Sequence, residues 1–452
     1  MSKSLVVYNS LSHEKEEFTP LVDGKVSFYV CGVTVYDYCH LGHARAYVAF
    51  DVIRRYLEHL GYGVTFVQNF TDIDDKIIAR AAEREMTIQE LTEMFIEAFH
   101  EDMKTLNIKK ADVYPKATKY VGKMIAMIKK LIDKGHAYVA ENGDVCFSIE
   151  SFKDYGKLSK KDIDDLVAGS RVDVRAGKRN PMDFVLWKKA KEGEPSWKSP
   201  WGEGRPGWHI ECSAMATDVL AETIDIHAGG ADLIFPHHEN EIAQSECATD
   251  KTFARYWLHN GFVTIKDEKM SKSLGNFFTI RDILEQYSGE VVRFFLMKMH
   301  YRSGLNYTTE GLDEAKQALS RFHTTLRDIA VQEPSPDVKA DFDALEVKFH
   351  DAMLDDFNYT EAIGVLYEIN KLVNVSGSGL SVLKQSGELL GLFFDVDYSV
   401  EIPVEVQVLL DQRNAAKANK DYQEADRIRD LISQTHGFQI KDTPEGTKLI
   451  RA

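Results

Sequence analysis

The sequence predicts an α/β fold: a Rossmann-like domain with a parallel sheet and an insertion, followed by a helical bundle and a small C-terminal domain. Three observations support this fold. An apolar, β-branched run at residues 26–30 leads through a loop into a segment with helical spacing of apolar residues, from Ala46 to Leu57. A second strand-like run at 62–68 completes a strand–helix–strand unit. Helical periodicity then dominates from about residue 277 to Phe394, as in a helical bundle.

The loop after the first predicted strand carries His40, Gly42 and His43. In an open α/β sheet, phosphate-bearing ligands bind in the crevice where a strand ends and a helix begins. Gly42 permits close approach of the backbone, and the two imidazoles can donate hydrogen bonds to phosphate oxygens at the positive end of the helix dipole. Cys31 is expected at the end of the strand, within reach of the same crevice.

Three carboxylates, Asp72, Asp74 and Asp75, follow the second predicted strand. Their position allows two interpretations, because they can bind Mg²⁺ or cap the helix that begins near Lys76. Of these two, we favour capping.

Two amphipathic helices come next and are interpreted as scaffold. A capping box at residues 87–90 opens the first helix, which is expected to stop near Ile108. The second helix lies between Pro115 and Gly135, where a glycine ends it. From 136 to 206 the pattern changes to short strand-like pieces among charged turns, which indicates an insertion.

The parallel-sheet domain is expected to resume at residue 207. Residues 223–230 form a strand with a glycine turn, and a helix begins at or just after Pro236. A further strand at 258–265 precedes a charged loop at 266–276.

Size and charge limit the classes of function that fit. A chain of 452 residues, 44% of them hydrophobic, with no extended apolar run, fits a soluble globular protein. Residues 1–5 lack the apolar core of a signal peptide, so we expect a cytoplasmic protein with no membrane segment. The formal net charge of −16 is opposite to that of proteins that bind nucleic acid through overall basicity, so any RNA contact must be local.

The five cysteines are an odd and widely separated set. This argues against a disulfide framework and leaves metal ligation or burial as their roles. For any one of them, burial is the commoner role.

Lys269 and Lys272 lie on the charged, glycine-bounded loop after the last predicted strand. Two lysines there suit a mobile clamp that neutralises a triphosphate while charge moves to its leaving group. Taken alone, such a loop is more often simply solvated. A His-x-Gly-His motif after the first strand and a Lys-Met-Ser-Lys-Ser motif after the last are much less common together. The pair resembles the two signatures of class I aminoacyl-tRNA synthetases, in which both motifs bind ATP.

Within that class, the sequence is most similar to the cysteinyl-tRNA synthetase family. The similarity covers essentially the whole chain and is carried by residues 184–187, 199–215 and 235–241, and Leu41 replaces the usual isoleucine of the first motif. The resemblance implies that L-cysteine is activated with ATP and Mg²⁺ to cysteinyl adenylate and pyrophosphate, and that cysteine then passes to tRNA(Cys). The residues to which it assigns catalytic or ATP-binding roles are His40, Gly42, His43, Lys269 and Lys272.

In that family, one zinc ion is held by two cysteines, a histidine and a glutamate. The matching residues in this chain are Cys31, Cys212, His237 and Glu241. The chemistry agrees, since His237 and Glu241 are four residues apart and share one helix face, and the four groups make a tetrahedral set for Zn²⁺. His238 and Glu239 are poorly placed to share that face, although an exchange of the two histidines stays open. The remaining cysteines are expected to be packing residues: Cys39, Cys146 and Cys247.

A zinc ion in that place would select the substrate through its thiol. A coordinated thiol loses its proton, whereas zinc discriminates against the harder, more basic hydroxyl of serine. Rejection of serine by about 10⁴-fold takes roughly 5.5 kcal/mol, which the loss of a specific ligand bond can supply, so no editing domain is expected. Thr34, by position alone, and Trp208, which in this family packs over the amino acid, are further substrate contacts. The alternative for Trp208 is a buried structural indole.

The expected division of the chain is a catalytic domain at 1–135 and 207–310, an insertion at 136–206, a helical bundle at 311–398 and a C-terminal anticodon-binding module at 399–452.

The C-terminal module begins with a predicted linker at 399–403 and contains one predicted helix, at 422–433. Its basic residues form either a local positive patch or a solvated helix face, and the resemblance favours the patch. They are Arg413, Lys417, Lys420, Arg427, Arg429, Lys441, Lys448 and Arg451. Several relatives place a tryptophan near the C-terminus, where this chain has residues 447–451. We therefore expect contacts to the RNA backbone through Lys448 or Arg451 in place of base stacking.

Three other functions are weaker. The ligase that joins cysteine to a glucosaminyl inositol in mycothiol synthesis shares the adenylation chemistry but lacks an anticodon module, so residues 404–452 argue against it. An RNA-binding paralogue without catalysis is disfavoured by the intact histidine and lysine motifs. A zinc hydrolase would need an open metal site beside a general base, and the sequence contains no His-Glu-x-x-His. We expect a monomer.

Overall fold

The computed structural model describes residues 3–161, 177–265, 268–269, 277–329, 333–396, 404–436, 438–443 and 446–451. They divide into two units, of which the first comprises Met1–Leu312 with Asp351–Thr360 and the second Asp313–His350 with Glu361–Ala452. The helices are α1 (Leu41–His59), α2 (Asp75–Glu83), α3 (Ile88–Thr105), α4 (Val121–Asp133), α5 (Trp208–Val219), α6 (Glu239–Thr249), α7 (Ile280–Leu284), α8 (Gly289–Leu296), α9 (Thr309–Asp328), α10 (Lys339–Leu354), α11 (Tyr359–Ser376), α12 (Leu380–Leu389), α13 (Val404–Ala418) and α14 (Tyr422–His436). The strands are β1 (Val6–Asn9), β2 (Glu14–Glu17), β3 (Lys25–Thr34), β4 (Gly63–Thr71), β5 (Ala137–Val139), β6 (Val145–Phe147), β7 (Phe184–Lys189), β8 (Trp197–Ser199), β9 (Gly202–Pro206), β10 (Ile224–Gly230), β11 (Ala254–Asn260), β12 (Val263–Ile265), β13 (Glu268–Lys269), β14 (Leu305–Tyr307), β15 (Phe438–Thr443) and β16 (Gly446–Arg451).

The first unit is built on a parallel sheet, as the sequence predicts. Four strands pair in the order β11-β10-β3-β4, and every pairing is parallel. Helix α1 connects β3 to β4, toward one edge of the sheet. Helix α6 connects β10 to β11, toward the opposite edge, so the strand order reverses between β3 and β10. Ligands bind in open α/β sheets at the carboxyl ends of the strands flanking such a reversal. This point of the sheet carries residues 31–34 and 229–230.

The first strand of this sheet is longer than predicted. β3 continues to Thr34, so Cys31 lies inside the strand and not at its end. The pairing with β4 shifts register within residues 30–33, and the backbone N–H of Gly32 donates to Oδ1 of Asn69 at 2.8 Å. A Cβ on Gly32 would lie 1.6 Å from the carbonyl oxygen of Asn69, so only glycine fits there. Irregularities of this kind redirect side chains next to functional sites.

The carboxylates after β4 have structural roles. Asp74 is the N-cap of α2, which confirms the capping interpretation for that residue. Asp72 accepts hydrogen bonds from the backbone and the hydroxyl of Thr118, at 2.8 and 2.5 Å. Asp75 pairs with Lys188 at 2.9 Å. Each of the three therefore already has a protein partner.

Other local predictions are confirmed or corrected by the first unit. The capping box of α3 forms, and Gly135 follows α4 with a φ of +83°. The predicted strand at 258–265 is wrong, because it divides into β11 and β12. The break falls at Gly261, whose N–H leaves the ladder and donates to the carbonyl of Tyr301 at 2.8 Å. Between α4 and α5, strands β5 to β9 form an antiparallel sheet.

The second unit contains most of the helical region predicted after the sheet. Its C-terminal part differs from the prediction of a single helix: α13 precedes α14, and an antiparallel β15–β16 hairpin follows. Val406, Ile428 and Ile432 form the buried core between the two helices. The predicted linker at 399–403 lies outside the described residues. Among the described helices, none combines the length and apolar character that crossing a bilayer takes.

Candidate active site and metal centre

A cavity of about 310 Å³ opens where the strand order reverses. Its walls come from the end of β3, the start of α1, the turn after β10 and residues 260–263, where β11 ends and β12 begins. The predicted site residues that line it are Cys31, Thr34, His40, Gly42, His43 and Trp208. The cavity is also lined by Lys76 and Asn260, which the sequence analysis did not assign to a site.

The two motif histidines are organised by the N-terminus of α1. His40 is the N-cap, and its Nδ1 accepts from the backbone N–H of Gly42 at 3.1 Å. Nδ1 of His43 accepts from the backbone N–H of His40 at 3.2 Å, and the two rings stack with centroids 3.8 Å apart. An Nδ1 that accepts a hydrogen bond places the proton of the neutral ring on Nε2. Both histidines are therefore set up as Nε2–H donors beside the positive end of a helix.

The chain that follows the lysine motif lies beside these histidines. Lys269 ends the short strand β13, while Lys272 lies outside the described residues. Two backbone hydrogen bonds, of 3.2 and 2.9 Å, join residues 278–280 to residues 39–41. The segment that leaves the lysine loop is therefore attached directly to the histidine motif.

The four predicted metal ligands, Cys31, Cys212, His237 and Glu241, meet at one point. All are buried, and one donor atom from each lies within 4.8 Å of all the others. The two sulfurs are 3.8 Å apart, Sγ of Cys31 is 3.5 Å from Oε1 of Glu241, and Nε2 of His237 is 3.0 Å from the same oxygen. His237 belongs to a wide turn that precedes α6, so the predicted shared helix face holds although the α-helix itself begins at Glu239.

The polar atoms of this cluster fit a bound cation. Oε2 of Glu241 is buried and has no well-aligned hydrogen-bond donor among the described residues, although Nε2 of His227 lies 3.3 Å from it; the hydroxyl of Tyr29 beside the cluster has no hydrogen-bond partner there either. A buried carboxylate oxygen without a well-aligned donor is costly unless a cation reaches it. Two sulfurs, one imidazole nitrogen and one carboxylate oxygen are a donor set that suits tetrahedral Zn²⁺. The residues present therefore fit a zinc ion.

Burial and the neighbouring charges shift the pKa values of the groups in this cluster. Burial acts to raise the pKa of Glu241, but His227 and His237 outweigh it and hold that pKa well below its usual range. Burial alone would lower the pKa of His237, yet the carboxylate of Glu241 and the sulfur of Cys212 raise it to about 10. Burial also raises the pKa of the Cys31 thiol. A metal ion binding to these ligands displaces their protons.

A second donor set shares two residues with the first. It consists of Cys31, His227, His238 and Glu241. Nε2 of His238 lies 3.2 Å from Sγ of Cys31, so the expectation that His238 is poorly placed is wrong. For Glu239 the expectation holds, because its carboxylate accepts from the backbone N–H groups of Gly156 and Ser159 at 2.9 and 2.8 Å. Only the first set provides two thiolates, which zinc favours.

Trp208 connects the first donor set to the cavity. Its ring stacks on His237, with centroids 4.1 Å apart and planes inclined by 22°. The side chain is 40% exposed and lines the cavity, so the alternative of a buried structural indole is wrong. Nδ1 of His209 lies 2.9 Å from Nδ1 of His237 and orients that ring. His209 was not among the predicted site residues, although its position next to Trp208 was a usable signal.

Comparisons with known proteins agree with this geometry. Residues 17–317 match the model of the tRNA synthetases class I (C) catalytic domain, and residues 348–395 match that of the DALR domain. A cysteine–tRNA ligase of Methylobacillus flagellatus is 54% identical over 99% of this chain and 100% of its own length. One of Alkalilimnicola ehrlichii is 52% identical over 98% and 99%.

The chain belongs to the cysteine–tRNA ligase family of class I aminoacyl-tRNA synthetases.

Solved structures of other class I enzymes share the fold of this chain. Mycobacterium tuberculosis methionyl-tRNA synthetase, in complex with methionyl-adenylate, aligns with a TM-score of 0.57 at 17% identity, over 81% of this chain and 89% of its own. An Agrobacterium radiobacter K84 LeuRS, in a ternary complex with tRNA and LeuAMS, aligns with a TM-score of 0.60 at 13% identity, over 82% and 83%. Because these sequence identities are low, the similarity shows a shared fold and nothing further.

The basic residues of the ligase's C-terminal region are less available than predicted. Arg427 pairs with Glu424 at 2.7 Å, and Arg429 pairs with Asp426 at 2.9 Å. Arg413 is only 3% exposed. The side chains of Lys441, Lys448 and Arg451 lie outside the described part of the chain. The expected patch is therefore reduced by pairing within its own helix, because cations and carboxylates alternate along α14.

Near the turn between α13 and α14, the structure adds an aromatic residue that the sequence analysis did not single out. Tyr422 is 62% exposed, and Lys420 two residues earlier is also exposed. An exposed ring beside a cation is the usual combination for stacking on a nucleobase. The sequence contained a signal for Tyr422, because it is a single tyrosine at the start of a charged helix.

Proposed function

We propose that this synthetase activates L-cysteine with ATP to cysteinyl adenylate and pyrophosphate, transfers cysteine to tRNA(Cys), and selects its substrate through a zinc-bound thiol. The single observation that carries the proposal is the buried Cys31–Cys212–His237–Glu241 cluster, joined through Trp208 to the cavity that His40 and His43 line.

In the first half-reaction, a carboxylate oxygen of cysteine attacks the α-phosphorus of ATP. A new phosphorus–oxygen bond forms, and the bond to the bridging oxygen of pyrophosphate breaks, so that pyrophosphate leaves with the electron pair. His40 and His43 donate their Nε2 protons as hydrogen bonds to phosphate oxygens, at the positive end of α1. Lys269 and Lys272 neutralise the charge that builds up on pyrophosphate.

The amino acid occupies the end of the cavity next to Cys31 and Trp208. Thr34, at the end of β3, and the exposed ring of Trp208 contact its backbone and side chain. Zinc bound by the four ligands would supply a soft Lewis acid that accepts the deprotonated thiol of cysteine in preference to the hydroxyl of serine. His209 holds the ring of His237 in the orientation that this ligand set needs. Discrimination of about 10⁴-fold corresponds to roughly 5.5 kcal/mol.

The tRNA is bound by the last third of the chain. The helical bundle at 311–398 and the module at 399–452 form the binding region, and residues 1–135 and 207–310 form the catalytic domain around the insertion at 136–206. The DALR match at 348–395 supports this division. Tyr422 stacks on a base of the anticodon, with Lys420 beside it for the phosphate backbone. The functional enzyme is a monomer with one Zn²⁺ per chain, and Mg²⁺ accompanies ATP.

The test is cysteine-dependent exchange of labelled pyrophosphate into ATP, with serine as the matched amino acid and with the enzyme before and after treatment with a chelator. Exchange with cysteine alone, lost on chelation and restored by Zn²⁺, is the expected result. Equal exchange with serine would overturn the selection mechanism. A chain that binds tRNA(Cys) but shows no exchange would be the RNA-binding paralogue instead.

A further inference from the structure

Arg45 is a buried cation on the helix that carries the histidine motif. It lies two residues after His43 on α1 and is only 1% exposed. Within the described residues its guanidinium donates to one hydroxyl and five backbone carbonyls, and no carboxylate pairs with it there. Buried charges are usually paired, because removing an ion from water costs several kcal/mol. A buried cation held only by uncharged oxygens among the described residues therefore needs a reason, and that reason lies in the parts of the chain that it connects.

The contacts of Arg45 converge on one segment. Nη2 donates to the carbonyls of Met299 and His300 at 3.0 and 2.7 Å, and to those of Tyr301 and Ser303 at 3.5 and 3.3 Å. Nη1 donates to the hydroxyl of Tyr359 at 2.8 Å and to the last carbonyl of α8. A single side chain thus fixes the backbone of residues 299–303 against α1.

The same segment supports the opposite wall of the cavity. The carbonyl of Tyr301 accepts from the N–H of Gly261 at 2.8 Å, and the N–H of Leu305 donates to the carbonyl of Phe262 at 2.8 Å. A Cβ on Gly261 would lie 2.4 Å from the backbone carbonyl of Ser303, so the two backbones are in direct contact. Gly261 and Phe262 line the cavity. A displacement of residues 299–303 would therefore displace this wall.

A second group of hydrogen bonds, to Asp356, also holds residues 299–303. The carboxylate of Asp356 accepts from the hydroxyl of Tyr301 at 2.7 Å and from Nε of Arg302 at 2.6 Å. Asp356 and Tyr359 belong to the part of the chain, Asp351–Thr360, that lies in the first unit. Arg45 closes this arrangement, since it reaches from α1 to both the segment and Tyr359.

We propose that Arg45 is a positioning residue for ATP, which sets the distance between the phosphate-binding start of α1 and the wall formed by residues 260–263. The inference rests on the proposed function, in so far as this cavity is the ATP site. Arg45 does not touch the substrate in this scheme. It acts through the carbonyls of residues 299–303. These carbonyls need several N–H donors in a fixed planar arrangement, which only a guanidinium presents.

The experiment compares Arg45→Met and Arg45→Lys with Arg54→Met in the full-length, zinc-loaded enzyme. Arg54 is the matched control, because it is a buried arginine on the same helix that pairs with Glu58 and Asp112, at 2.9 and 3.1 Å, away from the cavity. The measurements are KM for ATP and for cysteine in pyrophosphate exchange, the zinc content, and ATP binding by calorimetry.

We expect Arg45→Met to raise KM and Kd for ATP by about tenfold or more, because small displacements of binding groups are costly. KM for cysteine and the zinc content should stay within about twofold of the values for the unmodified enzyme, because effects at well-separated sites are independent. Arg45→Lys should recover part of the ATP affinity, and Arg54→Met should leave it unchanged. If Arg45→Met does not fold, Arg45→Lys and Tyr359→Phe give the same test with smaller expected shifts.

Equal increases in both KM values, or an unchanged KM for ATP in a folded Arg45 variant, would overturn the proposal. A failure of the proposed function is distinguishable, because the unmodified enzyme would then show no exchange at all. In that case ATP binding by calorimetry still decides the role of Arg45.

Discussion

Nε2 of His237 lies 3.0 Å from Oε1 of Glu241, one helical turn further along the chain, and neither side chain is more than 2% exposed. This contact brings together a group from the turn before α6 and one from the helix itself. Cys31 from β3 and Cys212 from α5 complete the cluster, so four separate parts of the fold define it. A site assembled in this way is sensitive to the loss of any one ligand, and that sensitivity can be measured.

Cys212→Ser should remove zinc from the protein. A ligand contributes more than an outer hydrogen-bonding partner, so the zinc affinity should fall by more than about 100-fold. Zinc per chain after dialysis, determined by atomic absorption, measures this. Cys247→Ser is the control, because Cys247 is a buried thiol outside the described donor sets and its loss should leave the zinc content unchanged. Full zinc occupancy in Cys212→Ser would show that the second donor set is the metal site.

Glu241→Cys should keep zinc but bind cysteine less well. A third thiolate donates more charge than the carboxylate it replaces, which leaves the metal less ready to accept another soft ligand. We expect KM for cysteine to rise by roughly tenfold, or about 1.4 kcal/mol, with little change in KM for ATP. A variant that retained full affinity for cysteine would contradict this explanation of the mixed ligand set.

The local parts of this site were predictable from the sequence, because they depend on spacing along one element. The strand, loop and helix around His40 and His43 follow from hydrophobic periodicity and one glycine. The pairing of His237 with Glu241 follows from a separation of four residues, which places two side chains on one face of a turn. Resemblance to a family was needed to add Cys31 and Cys212.

Most of the remaining features depend on contacts between distant residues, which periodicity does not report. β3 continues through Cys31 because Asn69 on the neighbouring strand binds the backbone of Gly32. The predicted strand at 258–265 breaks because Gly261 bonds to Tyr301. His238 reaches Cys31 because the turn before α6 is wider than an α-helix. The first two misplacements therefore reflect tertiary pairing, whereas the third reflects the local geometry of the turn.

His43→Asn should slow adenylation without weakening cysteine binding. Nδ1 of His43 accepts the backbone N–H of His40, which directs the Nε2–H donor, and asparagine cannot reproduce both contacts. Loss of one donor to a developing charge typically costs about 10²–10³-fold in rate. Single-turnover formation of cysteinyl adenylate measures the effect. An unchanged rate would remove His43 from the proposed mechanism.

Tyr422→Ala should weaken tRNA binding and leave amino-acid activation unchanged. Stacking of one base on an aromatic side chain contributes about 1–3 kcal/mol, so Kd for tRNA(Cys) should rise by about 5- to 150-fold. Filter binding measures the affinity, and pyrophosphate exchange without tRNA serves as the internal control. Tyr422→Phe should retain most of the affinity, since it keeps the ring. If both variants bind as the unmodified enzyme does, the exposed ring has no role in recognition.

Cys146 and Cys247 should resist alkylation in the folded enzyme, and their reactivity should rise with pH. Burial raises the pKa of Cys146 to about 11 and that of Cys247 to about 12. Because the thiolate is the reactive form, only about one molecule in 10³ or 10⁴ is reactive at pH 8, against roughly a quarter for an exposed thiol. The labelling rate should therefore increase about tenfold for each pH unit between pH 7 and 10. Iodoacetamide labelling followed by peptide mass spectrometry measures each site, with the urea-unfolded chain as the control. Rapid labelling of either cysteine at pH 7 in the folded protein would contradict its assignment as a packing residue.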